Sequence, residues 1–171
     1  MRVLLLAAIT LDGKIARRDD EFTGWSSTED KRLLARTTRD AGVIVMGSRT
    51  FATLPRPLPD RLNVVLTRTP PASAPEGVLY LTGEPGAVLA ALEARGFTTV
   101  VVSGGAHVFH AFIEAGLVDE LWLTLTPHLF GAGISLVGDT PLEAQFELLE
   151  ARPLGPGELH LRYGPHREAT P

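Results

Sequence analysis

Short runs of apolar residues alternate along the chain with amphipathic stretches. Several of these runs are continuous in Val, Ile and Leu, which is typical of strands buried on both faces of a sheet. Apolar runs separated by helical stretches predict an α/β domain, with a largely parallel sheet of about eight strands and helices on both faces. The predicted strands cover residues 2–9, 43–46, 63–67, 78–81, 98–103, 120–126, 146–151 and 159–163.

Three helices are predicted between these strands. The first covers residues 27–41, with Ser27 or Thr28 as its N-cap and acidic residues in the first turn, where negative charge is favourable. The other two cover 86–95 and 106–115, and each precedes a glycine suited to close a helix, Gly96 and Gly116. We expect the last two strands to form an antiparallel hairpin with a turn at 153–158.

The chain has the organisation of one domain. The sequence contains no internal repeat, and the proline-rich stretch 69–75 is long enough only for a surface loop. With 171 residues, of which 44% are hydrophobic, it builds a core without disulfides or a structural metal. We expect a single domain over residues 1–164 and a flexible tail over 165–171.

Composition and charge exclude several classes of protein. The absence of cysteine removes disulfide scaffolds and thiolate zinc sites, and the five histidines show no metal-like pairing with carboxylates, so no metal is expected. A net charge of -4 argues against a nucleic-acid partner. The apolar run at 3–9 is too short for a membrane span or a signal peptide. These features indicate a cytoplasmic protein with no membrane partner.

The most informative motif is the junction between a predicted strand and the helix that follows it, Ser103-Gly104-Gly105-Ala106. Glycines at such a junction let backbone N–H groups approach a phosphate, and the N-terminus of the helix supplies a positive dipole. A tight turn that requires glycine only for its dihedral angles explains the same residues. Without further motifs, a pyrophosphate cradle and a tight turn therefore remain open.

A second junction of the same kind, Gly47-Ser48-Arg49-Thr50, adds an arginine and two hydroxyl groups. Ligands bind at the carboxyl ends of parallel strands, so both junctions and the Thr67-Arg68 pair are expected at one edge, holding one dinucleotide. Arg68 is alternatively an exposed loop residue. No G-x-G-x-x-G motif follows the first strand, which disfavours a Rossmann dehydrogenase.

The ordered set of motifs resembles the dihydrofolate reductase superfamily, in particular the branch that contains the riboflavin-pathway reductase domain. The similarity runs from Val3 to about Tyr163, and its middle part is closer to folate reductases than its end. The segments that carry it are AA at 7–8, LDGKIA at 11–16, Trp25, VIVMGSRTF at 43–51, RPLPDRLNVVL at 56–66, SGGA at 103–106, AGLVDEL at 115–121, LFGAG at 129–133 and Leu136.

This resemblance implies a three-layer α/β/α domain with a mixed sheet, NADPH bound across the strand ends and direct hydride transfer from nicotinamide C4 without metal or flavin. It also implies a homodimer. By position, the adenosine phosphates and the pyrophosphate are assigned to Gly47, Ser48, Arg49, Thr50, Thr67, Arg68, Ser103, Gly104, Gly105 and Ala106. The nicotinamide is assigned to Ala8, Gly13 and Ile15.

The same resemblance implies a catalytic pair, Asp30 and Thr124, that hydrogen-bonds the heterocycle; Glu29 is the alternative carboxylate, and capping of the helix is the alternative role. The substrate-binding residues implied by position are Trp25, Ser27, Thr28 and Arg61. Arg61 suits the carboxylate of a folate or the phosphate of a ribosylamine equally well. Ser27 and Thr28 serve equally well as helix caps.

Three functions follow from this sequence. The first is the NADPH-dependent reduction of a small heterocyclic substrate, 5-amino-6-(5-phosphoribosylamino)uracil, in riboflavin biosynthesis. The second is a dihydrofolate or other pteridine reductase, and the third is a non-catalytic nucleotide-binding dimeric module.

Overall fold

A computed structural model of the chain describes residues 1–21 and 23–166. The strands are β1 (Arg2–Ile9), β2 (Lys14–Ala16), β3 (Val43–Gly47), β4 (Leu62–Leu66), β5 (Val78–Leu81), β6 (Thr99–Val102), β7 (Glu120–Leu125), β8 (Ile134–Ser135), β9 (Phe146–Gly155) and β10 (Glu158–Pro165). The helices are α1 (Thr28–Ala41), α2 (Ser48–Ala52), α3 (Pro85–Glu93) and α4 (Ala106–Glu114).

The main sheet has eight strands in the order β5-β4-β3-β6-β1-β7-β10-β9. The pairs from β5 to β7 are parallel, whereas β10 is antiparallel to both β7 and β9. The expected mixed sheet with a C-terminal antiparallel hairpin is therefore confirmed. Because the parallel strands all end at the same edge, every loop that follows one of them opens there.

The core lies on both faces of this sheet, as alternation along β1 shows. Leu4 and Leu6 pack with Leu33 of α1 on one face. On the other face, Val3, Leu5 and Ala7 pack with the apolar side chains of α3 and α4, which are Val88, Leu92, Phe109, Phe112 and Ile113. Helix, sheet and helix thus form the three layers expected from the sequence.

Helix α1 is capped at both ends by residues suited to the purpose. The Ser27 hydroxyl accepts a hydrogen bond from the Asp30 N–H at 3.0 Å, which makes Ser27, and not Thr28, the N-cap. At the other end, Gly42 adopts a φ of 71° and donates its N–H to the carbonyl of Arg39. These caps fix where α1 begins, and hence where Asp30 lies.

One local prediction was wrong and one small sheet was not predicted. The turn predicted at 153–158 consists of Pro156 and Gly157 only, because β9 continues to Gly155. As an edge strand, β9 tolerates Pro153, and its pairing with β10 is irregular at two places. The two-stranded sheet of β2 and β8 was not predicted because strands this short leave no hydrophobic period.

The ends of the chain add two observations. Of the predicted tail at 165–171, Pro165 ends β10 and His166 donates its N–H to the Gln145 carbonyl, while the remainder lies outside the described residues. Among the described helices, none combines the length and the apolar character needed to cross a membrane.

Asn63 ties together the loops that enter β4 and β5. Its fully buried amide donates to the carbonyls of Leu58, Arg61 and Gly77 and accepts from the Leu58 N–H. We expect Asn63→Ala to lower the free energy of unfolding by about 2–4 kcal/mol, because several buried backbone groups lose their partner. Urea denaturation measures this.

Asn63→Asp serves as the comparison for that variant. Aspartate keeps the oxygen that accepts from the Leu58 N–H but lacks the N–H donors of the amide. It should therefore also lower the free energy of unfolding, by more than about 1 kcal/mol. Wild-type stability in both variants would contradict the structural role assigned to the amide.

Candidate active site

A cleft of about 1130 Å³ runs along the edge where the parallel strands end. Its walls include both strand-to-helix junctions, the first turn of α1 and the segment around β8. Predicted site residues that line it are Ala8, Ile15, Asp30, Gly47, Ser48, Arg49, Thr50, Thr67, Arg68, Ser103, Gly104, Gly105 and Ala106. The cleft therefore brings the predicted phosphate-binding and nicotinamide-binding segments into one space.

The two glycine junctions lie side by side because β3 and β6 are adjacent strands. The Gly47 N–H donates to the Gly104 carbonyl at 2.7 Å, and the Gly104-Gly105 peptide bond is cis. A Cβ on Gly47 would lie 3.2 Å from Val108, and one on Gly105 would lie 3.1 Å from the Thr50 hydroxyl. This crowding explains why both junctions require glycine at the closest points.

Helix α4 begins at this edge without a side-chain cap, since its N-cap is Gly105. The Val108 N–H donates to the Gly105 carbonyl, but the N–H groups that open a helix without a side-chain cap otherwise lack a partner within the helix and attract an anion. The adjacent Ser48 and Thr50 add hydroxyl groups at the same wall of the cleft. Together these groups form a cradle with the chemistry needed to bind phosphate.

Two arginines add positive charge to the cradle. Arg49 forms an exposed ion pair with Asp19 at 2.7 Å, so its guanidinium already lies against the loop after β2. Arg68 forms no ion pair with any described residue of the chain. It follows Thr67, whose hydroxyl accepts a hydrogen bond from the Thr69 N–H. Arginine is a common partner of phosphate groups, including the 2′-phosphate of a dinucleotide.

Asp30 and Thr124 each carry a buried polar atom that has no hydrogen-bond partner among the described residues. Asp30 is 5% exposed and its Oδ1 has no hydrogen-bond partner; Thr124 is 1% exposed and its Oγ1 has none. Asp30 lines the cleft, whereas Thr124 lies on β7 opposite Ala8 of β1. Since buried polar groups are nearly always paired, the unpaired Oδ1 of Asp30 in the cleft is a candidate partner for a polar ligand.

Four predicted substrate-binding residues do not line the cleft. Trp25 packs edge-on against Phe130, with ring centroids 5.1 Å apart, and Ser27 donates its hydroxyl proton to Glu158 while capping α1. Thr28 begins α1. Arg61 is buried and donates to the carbonyls of Pro59 and Ala35 and to the Thr38 hydroxyl, so it anchors α1 to the loop before β4.

Gly13 also lies outside the cleft wall, in the turn between β1 and β2, which Asp12 ties to the loop at 129–131. The Asp12 carboxylate accepts from the Thr10 hydroxyl and from the N–H groups of Phe130 and Gly131, at 3.2 and 2.7 Å. These hydrogen bonds, that of Thr10 first, lower the pKa of Asp12 to about 2. This set of hydrogen bonds, which we call the Asp12 clasp, holds the segment that carries Ile15 beside the cleft.

Sequence reasoning missed two buried polar residues on β10, Glu158 and His160. Glu158 accepts from the Ser27 hydroxyl, and His160 is 1% exposed with its Nδ1 unpaired. The only sequence signal is that Glu158 and His160 stand on either side of Leu159. Alternate residues of a strand share a face, so the two polar side chains lie on one face. Among the described residues, no group of three histidines and carboxylates is suited to hold a metal.

Comparison with known sequences places these features in context. The profile of the RibD C-terminal domain matches residues 2–159. The Bacillus subtilis protein YwjB is 26% identical over 168 residues, which cover 90% of this chain and 92% of that protein. The dihydrofolate reductase of Haemophilus influenzae is 32% identical over 124 residues, covering 72% of this chain and 71% of the relative.

Solved structures share the fold. A dihydrofolate reductase from Enterococcus faecalis, complexed with NADP(H), superimposes with a TM-score of 0.77 at 23% identity and covers 97% of each chain. A diaminohydroxyphosphoribosylaminopyrimidine deaminase/5-amino-6-(5-phosphoribosylamino)uracil reductase from Thermotoga maritima gives a TM-score of 0.76 at 18% identity. The match covers 96% of this chain but only 56% of that one.

The Asp12 clasp predicts a defined pH dependence. Because the pKa is about 2 in the folded chain and 3.8 ordinarily, the clasp stabilises the fold fully above pH 3.8 and loses this effect as the pH falls towards 2. Asp12→Asn should therefore lower the melting temperature at neutral pH, and the difference from wild type should shrink towards pH 2.

Asp20→Asn is the matched control, since Asp20 forms only an exposed ion pair with Arg18. It should leave the melting temperature nearly unchanged at both pH values. A constant difference between wild type and Asp12→Asn across the acid range would contradict the lowered pKa.

Proposed function

This chain belongs to the RibD C-terminal domain family of reductases, within the dihydrofolate reductase superfamily, and from that premise we propose that it is an NADPH-dependent reductase of a ribosylamino-pyrimidine. The proposed substrate is 5-amino-6-(5-phosphoribosylamino)uracil, the compound named for the Thermotoga relative. One observation carries this proposal: the two glycine junctions and Asp30, whose buried Oδ1 has no hydrogen-bond partner among the described residues, line the same cleft. We further propose that residues 1–164 act as one reductase domain, in a cytoplasmic homodimer.

The residues of the cradle fit NADPH. Gly47 and Gly105 let the two junctions pack closely, since a Cβ on either would crowd Val108 or Thr50, and the start of α4, which has no side-chain cap, would offer N–H donors to a pyrophosphate. Arg49 and Arg68 suit the 2′-phosphate that distinguishes NADPH from NADH. Once bound, the cofactor supplies a hydride from C4 of its nicotinamide ring.

The other end of the cleft fits a heterocycle with N–H groups on its edge. The Asp30 carboxylate would accept hydrogen bonds from such an edge and so orient the ring, and the apolar side chains of Ala8 and Ile15, which line the same cleft, would help to exclude water. The ribosyl group reacts in its ring-opened form, which contains a C1′=N bond. With NADPH bound, hydride would be delivered to C1′, the electron pair of the C=N bond would move to nitrogen, and nitrogen would take a proton from water.

A second candidate is dihydrofolate reduction, which the 32% identity to the Haemophilus influenzae enzyme favours. The Asp30 carboxylate serves a pterin edge equally well, because both heterocycles present N–H donors. The two reactions differ in the second substrate that supports NADPH oxidation, so a direct assay separates them.

We predict that Gly105→Ala weakens NADPH binding about tenfold or more, or roughly 1.4 kcal/mol. The new Cβ lies 3.1 Å from the Thr50 hydroxyl and displaces it into the cradle, while the φ of −73° suits alanine. Isothermal titration calorimetry measures the dissociation constant. The control is Gly86→Ala in α3, where a Cβ meets nothing within 4 Å and binding should not change.

We predict that purified protein oxidises NADPH with the deaminated ribosylamino-pyrimidine and not with dihydrofolate. Asp30→Asn should reduce kcat/KM about 100-fold, the range typical of a lost proton-handling or orienting group, without changing the Kd for NADPH. NADPH oxidation with dihydrofolate but not with the ribosylamino-pyrimidine would identify dihydrofolate as the substrate. Saturable NADPH binding without turnover of either substrate would indicate a non-catalytic module.

A further inference from the structure

Among the described residues, seven buried side-chain polar atoms lack a hydrogen-bond partner. Three of them are Oδ1 of Asp30, Oγ1 of Thr124 and Nδ1 of His160. Asp30 and Thr124 already have a place in the proposed function, whereas His160 has none. Because buried polar atoms without partners destabilise a fold, three of them on one side of the sheet call for a common explanation.

Strand register places two of these residues in one row. His160 of β10 lies directly opposite Thr124 of β7, and Thr124 lies opposite Ala8 of β1, which lines the cleft. Side chains directly opposite one another on adjacent strands share a face of the sheet and lie about 5 Å apart at Cβ. Leu4 and Leu6 show that this face of β1 is the one covered by α1, the helix whose first turn carries Asp30.

Contacts at the start of α1 tie that turn to β10. The Ser27 hydroxyl donates to Glu158, which lies two residues before His160 on the same face of the strand, and the Ser27 oxygen accepts from the Asp30 N–H. Thus the strand that carries His160 also anchors the residue that caps the helix of Asp30. The imidazole and the carboxylate are held by one connected unit of structure.

His160 is enclosed and uncharged in neutral solution. Its ring packs edge-on against Trp122, with centroids 5.4 Å apart. Burial lowers the pKa of His160, and the charges of Arg152 and Arg162 act in the same direction, opposed by Glu150 of β9 and Asp30 of α1. A neutral imidazole offers one hydrogen-bond donor and one acceptor, so it pairs with either a carboxylate or a hydroxyl group.

We propose that His160 is a positioning residue, which acts through Asp30 and Thr124 to orient the heterocycle in the cleft. The imidazole supplies the hydrogen bond that holds the Asp30–Thr124 pair in place when the polar edge of the ring binds, either directly or through one shared water. This inference rests on the proposed function, since it requires a heterocycle to bind at Asp30. It assigns β10 a part in substrate recognition.

Two substitutions test the role of Nδ1. His160→Asn places an amide nitrogen or oxygen at the position of Nδ1, whereas His160→Leu has similar volume and no polar atom. With the ribosylamino-pyrimidine, we expect His160→Leu to lower kcat/KM about tenfold, as for a lost hydrogen bond, and His160→Asn to recover most of it. The Kd for NADPH should stay at the wild-type value in both.

A double-mutant cycle tests whether His160 acts through Asp30. If it does, His160→Leu has little further effect in protein that already carries Asp30→Asn, so the two losses are not additive. Additive losses would assign His160 a separate structural role and overturn the proposal. Wild-type kcat/KM in His160→Leu would also overturn it.

Two further outcomes need separate interpretation. If His160→Leu does not fold, His160→Gln replaces it, because glutamine places its amide at the position of Nε2; the proposal then requires the Asn variant to exceed the Gln variant. If wild-type protein binds NADPH but neither the pyrimidine nor dihydrofolate, the proposed function fails, and this inference fails with it. Wild-type turnover with unaffected His160 variants rejects the inference alone.

Discussion

The close approach of two strand-to-helix junctions is the constraint on which the candidate site depends. The hydrogen bond from the Gly47 N–H to the Gly104 carbonyl, 2.7 Å long, locks the end of β3 to the end of β6. Glycine suits the nearest points, since a Cβ there would lie little more than 3 Å from Val108 or Thr50 and would force that side chain to shift. The sequence uses glycine at both junctions, which leaves backbone N–H groups and the start of α4 facing the cleft.

The cleft joins two environments of opposite character. At one end, exposed arginines and uncapped backbone donors suit the phosphates of a dinucleotide. At the other end, burial makes each unpaired polar atom costly, so Asp30 and its neighbours gain most from a ligand that pairs with them. In the proposed function, Asp30 orients the hydride acceptor and the cradle holds the donor, and Ala8 and Ile15 line the same cleft.

Much of this arrangement follows from the sequence, for identifiable reasons. Strands buried on both faces leave continuous apolar runs, and parallel strands end at one edge, so the sheet and the meeting of the two junctions were predictable. The hydrogen bonds of Arg61 with α1 and of the Ser27 hydroxyl with Glu158 were not predictable, because they join segments far apart in the chain. The burial of His160 likewise depends on strand register and on α1, which no local pattern encodes.

Direct hydride transfer is the central claim, and the fate of an isotope tests it most directly. Wild-type protein is mixed with NADPH that carries deuterium at C4 on either face, together with the ribosylamino-pyrimidine, and the product is examined by mass spectrometry. The account predicts one deuterium at C1′ of the ribityl product, from one face of the nicotinamide only. A reduced product without deuterium from either face, or no reduced product at all, would contradict it.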